Sequence, residues 1–193
     1  DMSDASAAGM VSENTLVSYL ALLKSMYLLE EVPGWQPPAR AAGRVRTKPK
    51  RYLADPSLAV ATLGMSPSAL LDDWQTFGMV FEAMCMRDLM VYADALDSAA
   101  DVPVRYYRDD SGLEADAVVE LSDGRWAAFE FKVSEARTGQ GVASLRRLRE
   151  RVCSNPSARI RPPEFMAVVT GVSHYARRVE DDIYVVPLAA LTA

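Results

Sequence analysis

Two periodicities divide the chain: from Ser12 to about Leu96 apolar residues recur every three or four positions, and after Asp101 they alternate with polar ones. Leu16, Tyr19, Leu20, Leu23, Tyr27 and Leu28 share one helical face, predicting a helix over 14–30 capped by Ser12 and stopped by Pro33-Gly34. Trp35 to Lys50 mixes prolines and glycines with Arg40, Arg44, Arg46 and Lys48, then runs into the strand-like Arg51-Tyr52-Leu53. A helix followed by a basic hairpin has the outline of a winged helix. Asp55-Pro56 predicts a short helix over 56–63, since a proline at the first helical position gives up no hydrogen bond, and Gly64 ends it. Trp74, Phe77, Phe81, Met84, Leu89, Val91, Tyr92 and Leu96 predict a longer helix over 72–96, whose methionines suit an adaptable buried contact.

Beyond Asp101 the alternation predicts strands over 104–108, 115–121 and 126–133, a helix over 139–153, and strands over 164–170 and 182–187. A strand that feeds a helix and then a further apolar strand implies a right-handed crossover and a partly parallel sheet. The expected organisation is a disordered lead-in over 1–11, a winged-helix-like region over 12–70, and an α/β domain over 71–193 with helices flanking a mixed sheet.

Composition narrows the function. Half of the 193 residues are hydrophobic, enough for one medium or two small cores, and the net charge of −5 gives no overall field toward nucleic acid or anionic membranes. Polyanion contacts must therefore be local: a wing carrying Arg44, Arg46 and Lys48, or the Arg146 and Arg147 face of the later helix. Cys85 and Cys153 lie far apart beside a single histidine, His174, so a zinc site is not expected and a cytoplasmic, reduced chain is. Cys85 reads as a core residue and His174 as a surface one. The apolar run from Leu16 to Leu29 is broken by Ser18, Lys24 and Ser25 and falls short of a membrane span. The start at Asp1 suggests a piece of a longer protein.

The candidate chemistry sits on two neighbouring strands. In the strand ending at Val133, Glu130 and Lys132 share one face and Phe129, Phe131 and Val133 the other, while Glu114 and Asp116 share a face of the preceding strand. Ser122-Asp123-Gly124 joins the two. A two-residue loop sets Asp116 opposite Phe131, whereas a three-residue loop with Gly124 in the left-handed conformation sets it opposite Glu130. In the second register two carboxylates stand about 5 Å apart, an arrangement that favours a divalent cation between them. Oxygen donors of this kind suit Mg2+ or Mn2+, and Lys132 beside them can orient a water or steady a phosphoryl group.

The order Asp109-Asp110-Ser111-Gly112-Leu113-Glu114-Ala115-Asp116, then Phe129-Glu130-Phe131-Lys132-Val133-Ser134, resembles the S-G-x-E-x-D plus E-x-K-x-S pattern of a domain of unknown function found at the C-terminus of prokaryotic AAA-type ATPases. That domain is similar to PD-(D/E)XK nucleases. Asn14-Thr15-Leu16 with Tyr19-Leu20, then Lys48-Pro49-Lys50-Arg51-Tyr52, Asp55 and Val185-Val186-Pro187-Leu188 extend the resemblance over most of the chain. It departs from the pattern at Asp55-Pro56-Ser57-Leu58, where a glycine usually follows the acid, and at Ala115, where a bulky residue is usual. The resemblance implies a restriction-endonuclease-like fold, with Asp116 and Glu130 as metal ligands, Lys132 assisting, and Glu114 and Glu82 supporting. It also implies an upstream ATPase domain as partner, and ATP only through that domain, because no G-x-x-x-x-G-K-[ST] loop occurs here. Two functions follow as expectations: a metal-dependent nuclease-like domain that binds nucleic acid, or an inactive module of the same fold that docks a protein partner or regulates the ATPase.

Overall fold

A computed structural model describes residues 12–37, 48–96, 99–154 and 160–191. The expected lead-in over 1–11 and the wing residues Arg44 and Arg46 lie outside them. Helix α1 (Glu13–Ser25) is followed by β1 (Leu29–Val32) and β2 (Lys50–Leu53), then α2 (Pro56–Thr62), α3 (Pro67–Asp72) and α4 (Trp74–Asp94). The rest runs β3 (Ala99–Arg108), β4 (Glu114–Leu121), β5 (Trp126–Lys132), α5 (Thr138–Cys153), β6 (Phe165–Thr170), β7 (Arg177–Arg178) and β8 (Ile183–Pro187).

The expected helix over 14–30 is shorter, for a local reason. Tyr27 adopts a left-handed φ of 57°, its N–H donates to Lys24 O at 3.0 Å and that of Leu28 donates to Leu23 O at 3.0 Å. These two bonds close the helix in the Schellman pattern, normally built on glycine, so no glycine marked the stop. The chain then extends, and Leu29 to Val32 pair antiparallel with Lys50 to Leu53. The helix expected over 72–96 is α4, and a separate short helix, α3, precedes it. Ser66 caps α3, which opens on Pro67, and Asp73 starts α4 by accepting hydrogen bonds from Gln75 N and Thr76 N, both at 3.1 Å.

Six strands form one mixed sheet in the order β3-β4-β5-β6-β8-β7. β3, β4 and β5 are antiparallel neighbours, β5, β6 and β8 run parallel, and β7 returns antiparallel at the edge. Helix α5 connects the parallel pair β5 and β6, as alternation into an apolar strand demands. The expected α/β architecture, a mixed sheet with flanking helices, is the one present.

One face of the sheet buries Ala117, Val119, Phe129, Phe131 and Val169 against Phe81, Cys85, Met86 and Leu89 of α4. The other buries Val118, Ala128, Met166, Val168 and Val185 against Val142, Leu145, Leu148 and Val152 of α5. Helix α5 lies close enough that a Cβ on Gly141 would stand 2.9 Å from Val168. The segment after β1 is stitched to the β3 edge: Tyr106 N donates to Pro33 O at 3.0 Å and Trp35 N to Tyr106 O at 2.6 Å. The buried Trp35 ring then lies 4.8 Å from that of Trp126, and its Nε1 donates to Glu120 at 3.0 Å. No helix among the described residues is long and apolar enough to cross a membrane.

Tyr27 is 83% exposed, so its replacement loses little packing. Tyr27→Gly is expected to stabilise the chain by about 1 kcal/mol, the scale of left-handed strain relieved in a residue with a Cβ, as read by chemical denaturation.

Candidate active site

Local chemistry delivers two acids to one place. Asp109, buried at the end of β3, accepts hydrogen bonds from Ser111 N at 2.9 Å, Ser111 Oγ at 2.6 Å and Leu113 N at 3.2 Å. With Gly112 at a φ of 83°, these bonds fold the turn that starts β4. The Asp109-Ser111-Gly112 part of the motif thus builds a turn, and its product is the placement of Glu114 and Asp116.

The β4–β5 hairpin settles the loop length that the sequence left open. Gly124 has a φ of 81°, Gly124 N donates to Leu121 O at 2.9 Å, and Leu121 N donates to Arg125 O at 2.8 Å. The loop therefore has three residues, and Ala117 pairs with Phe129. One step further along that register Asp116 meets Glu130. Its Oδ2 accepts the Phe131 N–H at 2.7 Å and lies 3.7 Å from Lys132 Nζ, which in turn donates to Glu130 Oε2 at 2.5 Å. Asp116, Glu130 and Lys132 form one cluster.

The electrostatics of the cluster are strained. The Asp116 side chain is 14% exposed and that of Glu130 7%, yet two carboxylates share one ammonium. Burial, and then the Glu130 charge, push the Asp116 carboxyl up to about 7. Burial raises Glu130 as well. Although burial opposes it, Glu130 and Asp116 hold the Lys132 amine above its ordinary value, so it is a fixed cation and not a base at neutral pH.

Two residues that carried no assigned role complete the surroundings. Lys50 Nζ, from β2, bridges Glu114 Oε1 at 2.7 Å and Glu82 Oε1 at 3.3 Å, and Tyr52 OH donates to the same Glu82 oxygen at 2.8 Å. Arg108 Nη1 lies 3.4 Å from Glu114 Oε2, so Lys50 and Arg108 together balance Glu82 and Glu114, leaving Lys132 to the inner pair. Only the K-x-Y spacing of Lys50 and Tyr52, which puts both on one strand face, signalled this in the sequence. In front of Lys132 a pocket of about 460 Å³ is lined by Trp74, Glu82, Ser134, Arg137 and Gln140.

The other sequence-selected residues lie elsewhere. Arg146 pairs with Glu180, and Arg149, on the same helix, with Asp182; Arg147 is exposed. Lys48 is exposed, and its carbonyl accepts the Tyr106 hydroxyl at 2.6 Å. Cys85 is buried, with burial pushing its thiol well up, and His174 is exposed on the loop between β6 and β7.

An α/β domain with a buried carboxylate pair and a lysine at the end of a central strand is the class that fold and site define. The chain belongs to the family of the domain of unknown function DUF4143, which matches residues 77–191, more than half of its length, and is found in AAA-ATPase-associated proteins. Residues 1–69 match a second domain of unknown function, DUF8612. Among solved structures the chain is similar to one in the refined half-complex from the tetradecameric assembly of Thermococcus gammatolerans McrB AAA+ hexamers with bound McrC. The identity is 12%, the TM-score 0.37, and the match covers 89% of this chain but only 59% of that one, a likeness too slight to carry function across. No curated protein matches the chain closely enough to count as a relative.

The Asp116 shift fixes the sign of a pH effect. A carboxyl with an ordinary value of 3.8 that titrates near 7 when folded makes the folded state bind an extra proton between those values, so its contribution is full below the lower value and lost as pH rises through the upper. Without divalent ions the melting temperature should fall between about pH 4 and pH 7. Asp116→Asn, which can still accept from Phe131 N but cannot ionise, should melt roughly 2–5 °C higher than wild type at pH 8, measured by calorimetry.

Proposed function

We propose that this chain is a nuclease-like domain of the PD-(D/E)XK type attached to an AAA-type ATPase, binding nucleic acid and hydrolysing phosphodiesters with a divalent metal. The observation that carries the reading is the Asp116–Glu130 pair sharing one ammonium, because such a pair, fully ionised, is short of positive charge by one unit.

The residues present fit Mg2+ or Mn2+. Among the described residues no group of three or more His, Cys, Asp or Glu side chains forms a cage for a metal ion. Magnesium commonly takes one or two carboxylates and completes its shell with water and substrate phosphate, so two suffice. Asp116 and Glu130 would hold the ion, and their oxygen donors suit Mg2+ or Mn2+ better than zinc. When bound, the ion lowers the pKa of a water and draws off phosphoryl charge. Lys132, permanently protonated, stabilises the negative charge that develops on the phosphate oxygens and orients the phosphodiester. Glu82 and Glu114, held by Lys50 and Tyr52, keep a second row of charge in place behind the pair. Membership of an AAA-associated family supports an ATPase domain as partner, with ATP entering through that domain.

A second reading, a silent module that docks a partner or regulates the ATPase, draws support from Lys132 already satisfying Glu130 and from the pairing of Arg146 and Arg149 with Glu180 and Asp182. One experiment decides between them. Wild-type chain with Mg2+ or Mn2+ is expected to nick plasmid and to cut single-stranded oligonucleotides. Chelation should abolish cutting, Lys132→Ala should slow it by roughly 10²-fold or more, and Glu130→Gln should remove Mn2+ binding in calorimetric titration. Inertness of the wild type with both metals, on both substrates, would favour the silent module.

A further inference from the structure

The pocket in front of Lys132 is not a uniformly charged groove. At its mouth stands Trp74, the first residue of α4, 61% exposed although it is the largest apolar side chain the sequence can place. The other two tryptophans, Trp35 and Trp126, are 1% and 3% exposed and belong to the core. Trp74 is not loose: Phe77, one turn along, packs edge-to-face with it at 5.7 Å and an interplanar angle of 85°. The contact with Phe77 orients the indole and leaves most of its surface facing solvent beside the cleft.

The neighbours of that indole discriminate among ligands. Lys132, Glu82, Arg137 and Gln140 line the same pocket together with Phe81, Phe131 and Val133, so the aromatic surface stands beside charged and hydrogen-bonding groups as well as apolar ones, the mixture that a base joined to a phosphate requires. Arg137, at the turn leading into α5, is exposed, and its guanidinium makes no ion pair among the described residues, in contrast to Arg146, Arg149, Arg151 and Arg177. A planar π-face, an unpaired guanidinium and amide hydrogen-bonding groups beside a candidate phosphate-cutting site match one chemistry: a base with its faces free, joined to a phosphodiester. In a duplex both faces of a base are already stacked, whereas in a single strand they are available.

We propose that the substrate is single-stranded nucleic acid, or a strand locally opened from a duplex, with one base stacked on Trp74 and an adjacent phosphate held by Arg137, so that the neighbouring phosphodiester faces Asp116, Glu130 and Lys132. This rests on the phosphodiester reading of the site and narrows its substrate class. Because the other two tryptophans are buried, intrinsic fluorescence that is quenchable from solvent reports on Trp74.

The test titrates the 193-residue chain, in Ca2+ to hold off cutting, with oligo-dT, oligo-U and a mixed-sequence duplex, following tryptophan emission and the anisotropy of labelled strands. Quenching by dT, U or both, weaker with duplex, is expected, the dT and U arms separating DNA from RNA. Trp74→Leu should weaken single-strand binding roughly 10-fold, the scale of one stacked base, and Trp74→Phe should restore most of it. Equal affinity of wild type and Trp74→Leu for single strands overturns the proposal, as does unquenched emission in a chain that still cuts duplex with Mg2+; the latter leaves phosphodiester hydrolysis standing. Single-strand binding with Trp74 dependence but no cutting in Mg2+ or Mn2+ upholds the stacking and overturns hydrolysis. Failure to bind or cut any of the three overturns both.

Discussion

Two carboxylates and one ammonium held out of water at the end of β5 are the constraint that organises this chain. Like charges at that depth repel, and desolvation penalises each of them, so the pair persists only because the surrounding structure over-determines it. The Phe131 N–H pins Asp116, Lys132 spans to Glu130, and Lys50 and Tyr52 draw Glu82 and Glu114 away from direct competition. Those contacts join four elements, so the cluster exists only when β2, α4, β4 and β5 are all in place.

The N-terminal part therefore does more than precede the sheet. Trp35 buries itself between the β3 edge and Trp126, Tyr106 ties to both Pro33 and Lys48, and the Lys50 ammonium lies 5.4 Å from the centre of the Tyr106 ring. These contacts hold the segment around β2 to the β3 edge, which is what lets a cation from residues matching one domain pair with acids from residues matching another. Coupling between the two parts is electrostatic as well as apolar: withdrawing β2 would strip the Lys50 charge from Glu82 and Glu114 and leave Glu82 without an ion-pair partner among the described residues.

On the other face the approach of Gly141 to Val168 lets α5 lie low over the parallel strands, bringing Gln140 and Arg137 to the rim of the pocket. The same helix turns Arg146 and Arg149 toward Glu180 and Asp182 and leaves Arg147 exposed. Much of a basic helix in sequence is thus a paired surface in space, and the guanidinium beside the site is one whose sequence context gave it no prominence.

Local sequence determined a great deal. Alternation after Asp101 specified the strands and the α5 crossover, and Gly124 with the E-x-K spacing made the Asp116–Glu130 encounter one of two possible registers. Capping chemistry at Ser12 and Asp55 marked helix starts correctly, because a cap is satisfied by atoms within three residues of it. What sequence could not determine was whatever depended on partners far along the chain. The left-handed Tyr27 that turns the end of a helix into β1 is tolerated because Leu29 and Val32 gain burial and pairing. The choice of the three-residue loop is enforced by Phe129 and Phe131 having to face α4, and Lys50 and Trp35 acquire roles from groups tens of residues away. Those outcomes belong to tertiary structure because burial and charge pairing act between positions that only the finished fold brings within a few ångströms.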